Sequence, residues 1–293
     1  MNITLKNDQL TVVISTLGAE LQSILTAAGT ELLWQADPDI WGRHAPLLFP
    51  IIGRLRYQQY TLHGKPISIS QHGFARDTEF TVERQSEHSV TLSMSDSEAT
   101  RAVYPFSFRL SITYRLKGAS LVKSHTVTNC SEERMPYEIG GHDGFRTTLR
   151  AGETMSDYAI AFPGQDVIHP FGMDKDCFLT PEKLDYPLTD GMLPLPPKVF
   201  GLDTVVLEKL PCKKVTLLSK KSSYRLTMDF TDFDYLAVWT KPVDFDTNYV
   251  CIEPWTTLPE CTFVGSELTD KAGIRVLGSG ESETHAYTIT VEE

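Results

Sequence analysis

The feature that most constrains the fold is an alternation, with a period of two, of apolar and polar side chains along much of the chain. In residues 108–116 every second side chain is apolar, and the intervening ones are arginine, serine or threonine. This period is typical of a β-strand with one buried face. The pair Lys117-Gly118 then predicts a turn, and residues 120–129 run as the return strand, so the two runs predict an antiparallel hairpin.

Further short runs predict strands, with turn residues between them. They cover residues 3–5, 10–15, 79–84, 89–93, 204–207, 214–218, 224–230, 236–239 and 285–291. One helix is predicted over 97–103, capped by Asp96 or Ser97 and stopped by Pro105. Residues 162–174 and 193–201 are predicted to be long surface loops. Many strands and almost no helix predict an all-β antiparallel sandwich or barrel, and no linker-like stretch divides residues 1–293, so we expect one domain.

The charge balance excludes several classes of partner. The chain of 293 residues has 27 Lys and Arg against 38 Asp and Glu, a net charge of −11. Such a surface repels polyanions, and no basic block is present, so we expect no nucleic-acid partner. Lys6 and Asp8 interrupt the first residues, so we expect no signal peptide, and the apolar run 45–53 is too short to span a bilayer.

The cysteines indicate a reducing compartment. They are odd in number, widely spaced and without a CxxC pair: Cys130, Cys177, Cys212, Cys251 and Cys261. This pattern predicts free thiols and a cytoplasmic location, with the side chains acting as small buried hydrophobes.

Two glycines stand directly before a histidine in EIGGHDGFR, residues 138–146. Glycine permits a close approach of the backbone to a ligand, which makes His142 a candidate for acting on a bound substrate. The alternative is a turn or bulge whose histidine points outward. His72 is a second candidate, because a glycine follows it in QHGFAR.

Two arginines near His72 are candidates for holding a polar ligand. Arg54 follows a glycine in FPIIGRL, and Arg76 ends HGFAR. A guanidinium offers a planar fork of donors that suits several hydroxyls or a phosphate. The alternative is a pair of surface arginines that flank an ordinary hairpin.

A carboxylate at the end of a predicted strand is the candidate base. In CIEPW, Glu253 is followed by Pro254 and Trp255, and partial desolvation next to the indole would suit a base; Trp255 is also a substrate-binding candidate. The alternative is an edge-strand glutamate exposed to water. Asp203 precedes a β-branched run, where it could accept from a ligand hydroxyl or serve as a turn residue.

These segments, in this order, resemble the aldose 1-epimerase (galactose mutarotase) superfamily. Within it they are most similar to the bacterial LacX-like branch, which is close to hexose-6-phosphate mutarotases. The resemblance covers nearly the whole chain and rests on FPIIGRL, HGFAR, YPFSF, VTN followed by IGGHDGFR, and CIEPW. After CIEPW the chain reads TTLPE, where the branch more often has a glycine and an aspartate, so the rim of the site departs from the family pattern.

The resemblance implies a large antiparallel β-sandwich, called a supersandwich, with sugar bound in an open cleft on one face. It implies that His142 is the general acid and Glu253 the general base. The residues it implies for sugar binding are His72, Asp203 and either Arg54 or Arg76.

Anomer exchange suits a His–Glu pair. A base removes the proton of the C1 hydroxyl while an acid protonates the ring oxygen; the C1–C2 bond then rotates and the ring closes from the other face. A histidine titrates near neutral pH, and a glutamate does so once it is partly buried. The leading hypothesis is an aldose 1-epimerase for a hexose such as galactose or glucose.

Three alternatives stay open. A hexose-6-phosphate epimerase would bind phosphate through Arg54, Arg76 and Lys241. A non-catalytic carbohydrate-binding protein would use the same cleft, whereas a glycoside hydrolase would need two facing carboxylates. The expected partner in the first two is a small-molecule sugar. No cofactor is needed for anomer exchange, and no metal site is predicted because no H-x-H or H-x-x-x-H cluster is present.

Overall fold

The computed structural model describes residues 1–195, 204–243 and 245–292, and antiparallel strands dominate it. Strand accounts for 48% and helix for 6%, which confirms the predicted all-β class. The strands in chain order are β1 (Asn2–Lys6), β2 (Leu10–Ser15), β3 (Leu21–Thr26), β4 (Leu47–Leu48), β5 (Gln59–Leu62), β6 (Lys65–Ser68), β7 (Thr81–Gln85), β8 (Ser89–Ser95), β9 (Phe108–Lys117), β10 (Ser120–Asn129), β11 (Met135–Tyr137), β12 (Gly140–Gly141), β13 (Asp143–Arg146), β14 (Tyr158–Ala161), β15 (Val167–Ile168), β16 (Phe171–Met173), β17 (Leu179–Lys183), β18 (Tyr186–Pro187), β19 (Met192–Pro194), β20 (Val205–Glu208), β21 (Lys214–Ser219), β22 (Arg225–Asp229), β23 (Tyr235–Trp239), β24 (Tyr249–Trp255), β25 (Arg275–Leu277) and β26 (Ser282–Glu292).

The predicted helix is present as α1 (Glu98–Val103). The Oγ of Ser97 accepts from the Thr100 N–H at 3.2 Å, and the Thr100 hydroxyl accepts from the Ser97 N–H at 2.8 Å. This capping box satisfies amide groups that a helix start leaves without partners. Short 3₁₀ turns lie at Arg56–Gln58, Ala75–Asp77, Met155–Asp157 and Leu268–Asp270.

The larger sheet has nine strands in the order β19-β14-β21-β22-β26-β10-β9-β8-β7. Its centre contains the predicted hairpin, in which Lys117 pairs with Ser120 across a two-residue turn. Alternate side chains of β9 and β10 are buried, as the period of two requires. The buried row includes two residues that a core strand rarely contains, Lys123 and His125.

The second sheet carries the candidate site and runs β20-β23-β24-β12-β4, with β13 also pairing with β24. All seven residues of β24 are buried, because strands flank both edges and side chains cover both faces. Along β24, Val250 and Ile252 join the main core cluster, whereas Cys251 and Trp255 pack on the opposite face. Glu253 belongs to this opposite face, because side chains two apart on a strand point the same way.

The main hydrophobic core draws residues from both large sheets. It extends along nearly the whole sequence, from Ile3 near the N-terminus to Val291 near the C-terminus. A core shared by both large sheets agrees with the expected single domain, which stays a prediction. No helix in the described ranges has the length and apolar character needed to cross a bilayer.

The expectation of two long surface loops needs correction. Residues 162–174 do not form an exposed loop, because Phe162, Ile168 and Phe171 are buried and β15 and β16 lie within the segment. In the other predicted loop, residues 193–195 are described and include the end of β19, while 196–201 lie outside the described residues.

None of the five cysteines forms a disulfide, as predicted. Burial is confirmed for Cys251 and Cys261, whereas Cys130 and Cys177 are exposed and Cys212 is partly exposed.

Candidate active site

The register of two strands places His142 and Glu253 face to face. Gly140 pairs with Trp255 and Asp143 pairs with Ile252, so one continuous register sets His142 opposite Glu253. Directly opposed residues of an antiparallel pair project from the same face. The Nε2 of His142 lies 3.4 Å from Oε1 of Glu253. The alternative of an exposed edge-strand glutamate is therefore wrong, since Glu253 is 1% exposed on a central strand.

His142 and Glu253 both line an open cavity of about 590 Å³. Every described residue that the sequence nominated for the site lines this cavity: Arg54, His72, Arg76, His142, Glu253 and Trp255. Asp203 lies outside the described residues. Lys241, the further candidate for a phosphate, also lines the cavity.

Burial makes His142 a neutral imidazole in the unliganded site. Desolvation, followed by the positive charges of Arg76 and Arg43, lowers the pKa of His142 to about 3. Near pH 7 the ring is therefore uncharged and can accept a proton on Nε2 or donate one from it. A neutral imidazole beside a carboxylate forms a pair through which a proton can pass in either direction.

His72 contributes a fixed, neutral imidazole to the wall of the cavity. Its backbone lies in the left-handed region, at φ 64°, and its Nδ1 accepts from the Gly53 N–H at 3.1 Å. Burial, followed by the proximity of His142 and the charges of Arg76 and Arg43, lowers the pKa of His72, so the ring is neutral, and its Nε2 lies 3.2 Å from the side-chain amide nitrogen of Gln71. The ring stands edge-on to His142, with centroids 5.6 Å apart.

Arg76 belongs to an ordered cluster at the side of the cavity. Its Nη2 donates to the Gln71 carbonyl at 2.7 Å, and its Nε lies 3.7 Å from Asp77 Oδ2. The other carboxylate oxygen of Asp77 accepts from Arg43 Nη2 at 2.9 Å. Arg43 also lines the cavity, and our sequence interpretation missed it. These contacts hold two guanidinium groups in place before a ligand arrives.

Arg54 lies at the exposed rim. Its Nη2 donates to the Asp176 carbonyl at 2.5 Å, and its guanidinium stands 5.5 Å from the centre of the Phe178 ring. Arg54 and Arg76 thus line the same cavity at different depths, and the sugar-binding role of either arginine stays a prediction.

Indole rings surround His142. Trp41 stacks on the imidazole, with centroids 5.0 Å apart and 28° between the planes, and Trp239 approaches it edge-on at 5.5 Å. Trp255 completes this part of the wall. Trp41 and Trp239 were missed by sequence reasoning, because an isolated tryptophan is most often a core residue and their local sequences carry no other signal.

The glycines of EIGGHDGFR serve internal packing. A Cβ on Gly140 would lie 2.7 Å from Trp255 Cδ1, and one on Gly141 would collide with the Tyr287 hydroxyl. Neither glycine lines the cavity. The expectation that they let a ligand approach the backbone is therefore wrong, since the groups that approach are the Trp255 and Tyr287 side chains and the Pro254 carbonyl of the protein itself.

A buried polar network lies on the core side of β13, the strand that directly follows His142. Asp143 accepts from the Tyr287 hydroxyl and lies 3.3 Å from Lys123 Nζ, and Lys123 and Asp143 are 1% and 0% exposed. Buried charges require such partners. The network ties the strand that follows His142 to β10 and β26 of the larger sheet.

Comparison with known proteins agrees with this fold. A family model described as aldose 1-epimerase matches residues 1–272. The chain belongs to the aldose 1-epimerase family. A curated relative is the chromosomal protein LacX of Lactococcus lactis subsp. lactis, which is 35% identical over 99% of both chains.

Two solved structures share the whole architecture. A galactose mutarotase related enzyme from Lactobacillus acidophilus is 34% identical with a TM-score of 0.94, covering 100% of this chain and 98% of that one. A galactose mutarotase-like protein from Lactobacillus casei ATCC 334 is 30% identical with a TM-score of 0.91, covering 100% of both chains. The predicted galactose mutarotase-like fold is thereby confirmed.

Proposed function

We propose that this protein is an aldose 1-epimerase, an isomerase that interconverts the α and β anomers of a hexose such as galactose or glucose. The observation that carries the proposal is the 3.4 Å contact between His142 Nε2 and Glu253 Oε1 on the wall of an open cavity. Membership of the aldose 1-epimerase family supports the class of reaction.

The proposed reaction opens and recloses the sugar ring. Glu253 removes the proton of the C1 hydroxyl, His142 delivers a proton to the ring oxygen, and the bond between C1 and that oxygen breaks to give the open-chain aldehyde. Rotation about C1–C2 presents the other face of the carbonyl. The ring oxygen then attacks C1 and the two proton transfers run in reverse, so no net proton is consumed.

The neutral resting state of His142 indicates where the transferred proton comes from. Because the pKa of His142 is lowered to about 3, the imidazole does not hold a stored proton at neutral pH. We propose that the proton taken from the C1 hydroxyl passes from Glu253 to His142 across their short contact, and from His142 to the ring oxygen. The imidazolium formed in this way is a strong acid, which favours the second transfer.

The remaining cavity residues would bind the sugar hydroxyls. Arg76 supplies a fixed guanidinium and His72 a fixed imidazole close to His142. Trp255 supplies an apolar surface of the kind that packs against the C–H face of a sugar. Glu260 also lines the cavity, and burial raises its pKa.

A phosphorylated hexose is the second candidate substrate, because the cavity is basic although the whole chain is acidic. The described lining residues include the cations Arg43, Arg54, Arg76 and Lys241 against the carboxylates of Glu253 and Glu260. Asp77 partners Arg43 and Arg76, which leaves Arg54 and Lys241 as the better candidates for a phosphate at the rim.

Side-by-side polarimetry tests the proposal. Freshly dissolved α-galactose and α-glucose 6-phosphate are followed with wild type, Glu253→Gln and His142→Asn. We expect the wild type to accelerate anomer exchange and each variant to lose at least about 100-fold in rate while still binding sugar. Binding without acceleration by the wild type would favour the carbohydrate-binding alternative and overturn the proposal.

The rim variants Arg54→Gln and Lys241→Gln decide between the two substrates. With a phosphosugar as the true substrate, each raises KM for glucose 6-phosphate and leaves KM for galactose unchanged. With a free hexose as the true substrate, neither variant raises KM for glucose 6-phosphate more than KM for galactose.

A further inference from the structure

We propose that the site binds one soft divalent cation such as Zn²⁺ through His142, Cys251 and Glu253, and that the bound ion blocks the acid–base pair. Cys251 and Glu253 are two apart on β24 and project from one face, and His142 faces Glu253 from the neighbouring strand. One nitrogen, one sulfur and one carboxylate oxygen of these side chains all lie within 4.8 Å of one another.

The distances fit a tetrahedral ion. Zinc holds histidine nitrogen at about 2.0–2.1 Å and carboxylate oxygen at about 2.0–2.2 Å, so two such ligands in a tetrahedron stand roughly 3.4 Å apart. The Nε2 of His142 and the Oε1 of Glu253 are 3.4 Å apart before any ion is bound. With a Zn–S distance of about 2.3 Å the sulfur stands roughly 3.6 Å from each of the other two ligand atoms. The three atoms start within 4.8 Å of one another, so their separations shorten by no more than roughly 1.2 Å on binding.

The ligand set selects the kind of metal. A thiolate and an imidazole favour Zn²⁺ and its neighbours, whereas Mg²⁺ and Ca²⁺ prefer oxygen ligands. The sequence alone did not suggest this set, because spacing along the chain does not reveal ligands from facing strands.

The cavity gives the ion a route and an open coordination position. His142 and Glu253 line the cavity, while Cys251 lies beneath them at 0% exposure, against Trp34 and Tyr249. Binding forms a Zn–S bond, and the thiol proton leaves to solvent. The fourth position faces the cavity, where a water molecule completes the tetrahedron.

The consequence for turnover rests on the proposed function, while the consequence for binding does not. An ion on Nε2 of His142 and a carboxylate oxygen of Glu253 occupies the two atoms that would exchange protons with the sugar. Zinc is therefore expected to inhibit anomer exchange and to compete with sugar.

Cobalt(II) absorbance tests the site without any reference to activity. Co²⁺ is titrated into wild type, Cys251→Ser and Cys177→Ser, and the thiolate-to-cobalt charge-transfer band is recorded. Cys177 is the matched control, because it lines the same cavity but is not among the three ligands. We expect the band, at one ion per chain, in wild type and Cys177→Ser, its loss in Cys251→Ser, and its displacement by Zn²⁺.

Zinc inhibition of anomer exchange gives the second readout. Cys251→Ser should need at least about tenfold more Zn²⁺ than wild type for half inhibition, each protein being compared with its own uninhibited rate. A wild-type protein without the band, or a band that persists in a folded Cys251→Ser, overturns the site. A band without any anomer exchange would leave the metal site standing and overturn the proposed function alone.

Discussion

The indole of Trp41 stacks on the imidazole of His142 with the ring centroids 5.0 Å apart, while Trp239 meets the same imidazole edge-on at 5.5 Å. Trp41 also stacks on Tyr249, at 5.4 Å, and Gly144 provides the room for this indole, since a Cβ there would lie 2.8 Å from Trp41 Cζ3. Trp41 is therefore fixed from several directions, and it fixes the imidazole plane in turn.

Replacement of Trp41 should slow anomer exchange. We expect Trp41→Leu to lower kcat by about tenfold, because the imidazolium formed in each turnover loses a cation–π partner worth roughly 1–2 kcal/mol. Trp41→Phe keeps an aromatic face and should retain most of the rate. Stopped-flow polarimetry measures both, and equal losses in the two variants would mean that the stacking has no electrostatic role.

The rate should not fall as pH rises through 6.5. An imidazolium supplied by solvent would become scarcer above the pKa of His142, so kcat/KM would drop tenfold per pH unit. In the proposed relay His142 starts neutral, since its pKa is lowered to about 3, so kcat/KM should be flat between pH 6 and 8. Anomer exchange measured at half-unit intervals, corrected for the uncatalysed rate, distinguishes the two courses.

Stability should rise with pH below neutrality. The pKa of His142 is about 3 in the folded chain against about 6.5 when unfolded, so in this window the unfolded chain binds a proton that the folded chain does not. The free energy of unfolding at pH 5 is therefore about 2 kcal/mol lower than at pH 8. The buried His72 and His125, whose pKa values are also lowered, act in the same direction.

Urea unfolding at pH 5 and pH 8 measures that difference. From pH 8 to pH 5 the free energy of unfolding of His142→Asn should fall by about 2 kcal/mol less than that of wild type, because asparagine does not titrate. His63→Asn is the control, since His63 is exposed. A wild-type pH dependence in His142→Asn would contradict the assigned pKa.

A methyl group at Gly141 should destabilise the fold. Gly141→Ala places its Cβ on the Tyr287 hydroxyl, and overpacking of this kind costs about 1–3 kcal/mol. At Gly42 the nearest heavy atom to an added Cβ is 3.7 Å away, so Gly42→Ala should change the free energy of unfolding by less than about 0.5 kcal/mol. Equal unfolding midpoints in urea would refute the packing role given to Gly141.

The strands were predictable because their signal is local. The alternation in β9 and β10 reports one buried face, and the structure contains that hairpin. The burial of Lys123 was not predictable, because its partner Asp143 lies in the other sheet and contributes no local signal.

The site was only partly predictable for the same reason. His142 and Glu253 could be nominated from their motifs, but their contact depends on a register between strands more than a hundred residues apart in sequence. Trp41 and Arg43 carry no distinguishing motif and become visible only once the cavity is assembled.

The position of Glu253 on a fully enclosed strand has an evolutionary consequence. Glu253, the base of the proposed reaction, lies on a strand that is paired along both edges, whereas Arg54, Phe178, Lys241 and Glu260 reach the cavity from irregular connecting segments. Mutation can replace these four residues without disturbing the pairing of the strands. Under the proposed function, sequence change in these segments is therefore expected to alter which sugar the cavity accepts and to leave the chemistry of His142 and Glu253 unchanged.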